Sequence, residues 1–147
     1  MSIEDDIALL ERVPTLRLLG KEPLRMLAIG SELRNVPRGD LLFALGEEAD
    51  CGFVVQRGTF RVDDGSGAET IVGAGALIGE LALVVAMRRP SNATALEYSS
   101  VIRIARSLFQ RVLESDPEAA RRLRDEFASR TSQIASSILM AGAKLSI

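Results

Sequence analysis

Between Ser31 and Leu77 the chain breaks into short apolar pieces, each ended within a few residues by glycine, proline or aspartate. No piece is long enough to bury one face of a helix, which takes about ten residues or more. Pro37-Arg38-Gly39-Asp40 makes a turn before Leu41-Leu42-Phe43, and Gly46 to Asp50 makes another before Cys51 to Gln56. Gly58 separates Val54-Val55 from Thr59 to Val62, Asp64-Gly65-Ser66-Gly67 forms a hairpin loop ahead of Glu69 to Val72, and Gly73 and Gly75 close the run. Short strands at such close intervals specify an all-β barrel or roll.

Both flanks change to helical spacing. From Ile3 to Arg12, Ile7, Leu10 and Val13 share one face, and Glu4, Asp5 and Asp6 suit the positive end of a helix; Pro14 is expected to stop or redirect it. A second helix is predicted from Glu22 to Ile29, with Pro23 in its first turn and Gly30 at its end. Beyond the roll, Ala93 to Tyr98 and Ser100 to Ile104 read as two more strands around a tight turn, and Arg106 to Glu114 as a short helix. Asp116-Pro117-Glu118 then signals a long helix striped by Ala120, Leu123, Phe127, Thr131, Ile134 and Ile138, whose Ala- and Ser-rich tail, Ala135 to Ile147, is expected to fray. The fold class is α+β, mainly β. N-terminal helices occupy 1–30, the roll 31–104 and C-terminal helices 105–147, in one structural domain, which suits 147 residues at 47% hydrophobic content.

Composition removes several function classes. Histidine is absent and cysteine occurs once, at Cys51, so triad hydrolysis and most metal-dependent chemistry lack their usual groups. With 18 basic and 20 acidic residues, no global field recruits nucleic acid or anionic membrane. The arginines Arg121, Arg122 and Arg124 sit among Glu118, Asp125 and Glu126, the pattern of a solvated helix face. The longest apolar run, Leu81 to Met87, falls well short of the roughly 20 residues that span a bilayer. The polar, acidic start shows no cleavable signal, so a cytoplasmic protein without metal or cofactor is expected.

The stretch that carries chemistry is Gly79 to Ala95, GELALVVAMRRPSNATA. Gly79 permits close backbone approach, Glu80 opens an apolar run whose first turn leaves amides unpaired, and Arg89 supplies a rigid cationic fork for phosphate or carboxylate oxygens. Together they suggest a small phosphate-and-sugar pocket. Arg88 competes with Arg89 for the anion, and Arg89 is the favoured choice.

These residues resemble the phosphate-binding cassette of the cyclic nucleotide-binding domain family. Gly79-Glu80-Leu81-Ala82-Leu83 matches the first half of that cassette at every position, and the turn Pro37 to Asp40, Phe43 before Gly46-Glu47, and Phe53-Val54-Val55 before Gly58 are similar to the family's β-roll. The resemblance covers about residues 10 to 130. It implies a jelly-roll β-roll between N-terminal helices and a long C-terminal helix, and a non-enzymatic module that binds cAMP or cGMP. It assigns Glu80 to the ribose 2′-hydroxyl, Arg89 to the cyclic phosphate, the amides near Leu81 and Ala82 to the phosphate cradle, and Gly79, Ser91 and Asn92 to the rest of the site. Leu123, Phe127 and Arg130 are candidates to cap the base, and the C-terminal helix is expected to relay binding and to pair in a homodimer.

Two departures stand out. Pro90 follows the arginine where the family carries a residue with a free N–H, and losing one such bond to phosphate costs about 1–3 kcal/mol, roughly 5- to 150-fold in affinity. Asn92 replaces the usual Thr or Ser. They leave open an interaction or dimerisation module with a degenerate pocket. A transcription factor needs a reading head beyond the long helix, for which the tail leaves no room, and a metal-dependent jelly-roll oxygenase needs histidine ligands.

Overall fold

The protein is described from a computed structural model over residues 2–129. Three helices open the chain: α1 (Ile3–Glu11), α2 (Pro14–Arg17) and α3 (Lys21–Gly30). A capping box starts α1, with the Asp5 amide donating to Ser2 Oγ at 3.2 Å and the Ser2 amide to Asp5 Oδ2 at 3.3 Å. Pro14 redirects the chain as expected, but it also opens α2, because the amide it lacks would have no intrahelical partner at a first helical position.

Among the described residues ten strands follow: β1 (Glu32–Val36), β2 (Leu41–Phe43), β3 (Glu48–Ala49), β4 (Cys51–Arg57), β5 (Phe60–Asp63), β6 (Glu69–Val72), β7 (Leu77–Ile78), β8 (Met87–Arg88), β9 (Asn92–Ala95) and β10 (Ser99–Ala105). They form two four-stranded antiparallel sheets, ordered β1-β10-β4-β7 and β2-β9-β5-β6, and the small pair β3-β8. This is the jelly-roll architecture, with helices before and after the roll in the chain. After β10, α4 covers Arg106–Ser115, and residues 117–129 form a further helix, α5, whose start is capped by Asp116 Oδ1 accepting from the Ala119 amide at 3.1 Å.

Strand β4 explains how the layers join. Its alternate residues Cys51, Phe53 and Val55 enter the space between the sheets, where they meet Phe43, Phe60, Ile78, Ala93 and Val101. Val54 points the other way and packs with Ile102, Ile104 and the helical residues Leu10, Leu16, Leu27, Phe109 and Leu123. A strand buried on both faces reads as a continuous apolar run, and Cys51 to Val55 is buried throughout. The helices therefore sit on the outer face of the β1-β10-β4-β7 sheet. The connection between Ile78 and Met87, which carries the cassette, lies at the junction of roll and helices. Among the described residues, no helix is long and apolar enough to cross a membrane.

Candidate ligand-binding site

The predicted helix start at Glu80 is a single 3-10 turn, Glu80–Leu83, and Met87 leaves the apolar run to pair in β8. Gly79 precedes the turn in the left-handed region, at φ +79°. A methyl group there would lie 2.5 Å from Arg89 Nη1 and 3.5 Å from the Cys51 carbonyl oxygen. Only a glycine lets the guanidinium cross the backbone so closely.

Arg89 is held at both ends. Its amide donates to the Glu47 carbonyl at 2.7 Å and its carbonyl accepts from the Gly46 amide at 2.8 Å, which fixes the backbone on the turn before β3. Its side chain is buried, 5% exposed, with Nη2 donating to the Cys51 carbonyl at 2.9 Å and approaching Cys51 Sγ at 3.3 Å. Cζ stands 4.3 Å from the centre of the Phe43 ring and 5.5 Å from that of Phe53, two rings that stack on each other. Burial pushes the Cys51 thiol above its usual range, and the nearby arginine charges only partly oppose this.

Among the described residues no carboxylate pairs with Arg89. A buried cation is costly without a counter-charge, and here it has one carbonyl, a thiol and two aromatic faces. No buried side-chain nitrogen or oxygen among the described residues lacks a partner. A cavity of about 350 Å³ is lined by Arg89, Gly79, Glu80, Leu81, Ala82 and Ser91, with Phe43, Val62, Thr70 and Val72 as its walls. Glu80 Oε2 accepts a hydrogen bond from Thr15 Oγ1 at 3.1 Å. The hollow thus combines a cation, an acid and the hydroxyls of Thr70 and Ser91 with a largely apolar wall.

The family model described as the cyclic nucleotide-binding domain matches residues 33–116. The chain belongs to this family. It is 35% identical over 111 residues to an uncharacterized NTE family protein of Mycobacterium tuberculosis, covering 74% of this chain and 19% of that protein. It is 30% identical over 112 residues to a cyclic nucleotide-gated potassium channel of Mesorhizobium japonicum, covering 76% of this chain and 31% of the channel. The chain therefore spans about a fifth to a third of the length of these curated relatives. A solved cyclic nucleotide-binding-like protein from Brucella abortus superposes with a TM-score of 0.67 at 38% identity, covering 75% of this chain and 98% of the other.

Of the cassette residues named from the sequence of this cyclic nucleotide-binding domain, Gly79, Glu80, Leu81, Ala82, Arg89 and Ser91 all line the one cavity. Arg88 does not: it is exposed, and its Nη1 donates to the Gly46 carbonyl at 3.0 Å. Asn92 is also elsewhere, with Oδ1 accepting from the Leu45 amide at 2.8 Å and Nδ2 directed to Asp63 Oδ1 at 3.4 Å, so its amide ties β9 to neighbouring loops and strands. The Ala82 amide donates to the Gly79 carbonyl at 3.2 Å inside the 3-10 turn, and is not held open for a ligand.

The base-cap candidates fall on a second hollow, about 370 Å³, lined by Leu81, Val84, Leu113, Ala120, Leu123, Arg124 and Phe127. Leu81, half exposed, belongs to both hollows and is the link between cassette and α5. Arg130 lies outside the described residues, as do Thr131, Ile134 and Ile138 of the stripe.

A larger hollow, about 490 Å³, lies between α1, α3 and the β1-β10 side of the roll, lined by Asp6, Asn35, Gln56, Arg57 and Tyr98 among others. No cassette residue lines it.

Several contributors carried no signal in the sequence. Thr15 reaches Glu80 from 65 positions away. Arg106, the first residue of α4, donates from Nε to the Ala82 carbonyl at 2.9 Å and from Nη2 to the Ala49 carbonyl, and so braces the 3-10 turn against β3. Phe43 was legible as a strand residue, but nothing in its surroundings in the chain announces that its ring carries the guanidinium.

Proposed function

We propose that this domain binds a cyclic nucleotide, cAMP or cGMP, in the cavity between Gly79 and Ser91 and acts as a non-enzymatic, cytoplasmic regulatory module. The observation that carries this reading is Arg89: a buried guanidinium without a carboxylate partner among the described residues, lining a hollow that also holds Glu80. A phosphate monoanion supplies the missing counter-charge, and a sugar hydroxyl suits the carboxylate. The cavity volume falls at the lower end of the range for small-ligand sites, which suits a compact ligand. The naming of the Mesorhizobium relative as cyclic nucleotide-gated supports the ligand class.

Leu81 carries the relay in this reading. A ligand that draws the 3-10 turn towards its phosphate shifts Leu81 in the hollow it shares with Leu123 and Phe127, and so repositions α5. The amphipathic stripe continuing from α5 is proposed to pair with a second copy of the chain; Phe127→Glu is expected to lower the mass seen in light scattering.

A second reading keeps the fold and drops the ligand. Pro90 has no amide to give and the Ala82 amide is already engaged, so the cradle has fewer donors than the family pattern implies. A thermal-shift series separates the two. A rise in melting temperature with cAMP or cGMP, absent with linear AMP or GMP, supports the sensor; no rise with any of them supports the degenerate module.

A further inference from the structure

Thr15, in the N-terminal helices, is placed on the Glu80 carboxylate. It lies in α2, a single turn, and is 3% exposed. Around it Leu10, Leu16 and Leu19 are fully buried and Val13 nearly so, which fixes the α2 backbone in the helical core. A buried hydroxyl needs a partner, and this one donates to Glu80 Oε2 at 3.1 Å. Glu80 is the second residue of the cassette and reaches its place from a turn whose glycine is set at positive φ. The two ends of this bond are therefore both rigidly placed, one by the helical core and one by the cassette.

We propose that Thr15 is a positioning residue for Glu80, making α2 part of the sugar subsite. The proposal rests on the cyclic nucleotide reading above. A hydroxyl donated to one carboxylate oxygen fixes the plane in which the carboxylate meets a ribose hydroxyl. A side chain ordered before binding loses less freedom on binding, so the bond raises affinity without touching the ligand. The same bond ties the position of α2 to occupancy of the pocket, which gives the N-terminal helices a direct link to the ligand separate from that through Leu81 and α5.

The test is calorimetry of wild type, Thr15→Val and Thr15→Ser with 3′,5′-cAMP, 3′,5′-cGMP and their 2′-deoxy analogues. Valine keeps the shape and removes the donor; serine keeps the donor. Thr15→Val is expected to weaken the ribose ligands about 3- to 10-fold. Thr15→Ser should bind as wild type, and the 2′-deoxy ligands should bind wild type and Thr15→Val alike. Should the valine variant fail to fold, Thr15→Ala is expected to show the same loss confined to the ribose ligands. Unchanged or tighter binding by the variants, or an equal loss for the 2′-deoxy ligands, overturns the positioning role while leaving the pocket assignment intact. No binding by the wild type removes the reading on which the role depends, and the role with it.

Discussion

Replacing Gly79 by alanine perturbs the site at its tightest point. The first cost is conformational: at φ +79° an alanine sits in the left-handed region, at about 1–2 kcal/mol. The second is contact. The new methyl group would stand 2.5 Å from Arg89 Nη1, so one of the two must move by most of an ångström. The far end of an arginine is ordinarily free to swing away, but this one is held by the Cys51 carbonyl at 2.9 Å and by the Phe43 ring at 4.3 Å. Displacing it sacrifices a hydrogen bond to a charged group and part of a cation–π contact, together about 1–3 kcal/mol. Gly79→Ala should therefore destabilise the wild type by about 2–5 kcal/mol. In an Arg89→Met background only the backbone part, about 1–2 kcal/mol, should remain. Urea unfolding of the four proteins gives the coupling directly. If Gly79→Ala costs the same in both backgrounds, the close packing of guanidinium on glycine is not what that position is for, and the reasoning fails.

Other perturbations follow from the same geometry. Gly58→Ala places a methyl group 2.0 Å from Ser99 Oγ and 2.9 Å from Ser99 Cα at φ +93°, with backbone as the obstacle, so a loss of about 3–5 kcal/mol is expected in urea unfolding; a loss under about 1 kcal/mol contradicts it. Arg106→Ala removes the brace between the Ala82 and Ala49 carbonyls and should lower stability by about 1.5–3 kcal/mol, with nucleotide affinity falling as the 3-10 turn loosens; Arg106→Lys, a single point charge, should restore only part of both. Burial raises the Cys51 thiol, so the unfolded chain gives up that proton first as the pH climbs. The stability it contributes is complete below the ordinary thiol value of 9.0 and is lost above it, up to the higher folded value. Denaturation midpoints of wild type and Cys51→Ser should accordingly diverge with pH only on the alkaline side, and parallel curves through that range would refute the assignment.

What was legible in the chain follows physical scale. The β-roll announced itself because Gly39, Gly46, Gly58, Gly65 and Gly75 all take positive φ, and turns of that kind leave a composition mark wherever they occur. Strands β2, β4 and β6 were recognisable as apolar pieces between those marks, and Asp116 capped its helix as the Asp-Pro pair foretold. The pairs β3 and β8, two residues each, were invisible, because two residues establish no period; Glu48-Ala49 looked like part of a turn. Pro14 was legible as a break but not as the start of α2, since one turn of helix has too few residues to show a stripe.

The site divides along the same line. Gly79, Glu80 and Arg89 are close in sequence and were found by their spacing, whereas Thr15, Cys51, Phe43 and Arg106 reach them across the fold, and single-chain spacing carries no record of such contacts. Asn92 shows the converse: it sits inside the right stretch, yet strand alternation in β9 places its amide on Leu45 and Asp63 instead of in the cavity.

The most direct test of the account is isothermal titration of cAMP and cGMP into the wild-type chain and into Arg89→Met, with the fold of the variant checked by its unfolding curve. Met replaces a buried cation that has no carboxylate partner among the described residues, so the variant should remain folded without ligand. The account predicts saturable binding of at least one of the two nucleotides by the wild type, and a loss of about 30-fold or more in the variant. Absence of binding to the wild type at high micromolar nucleotide, or equal binding by Arg89→Met, would contradict it.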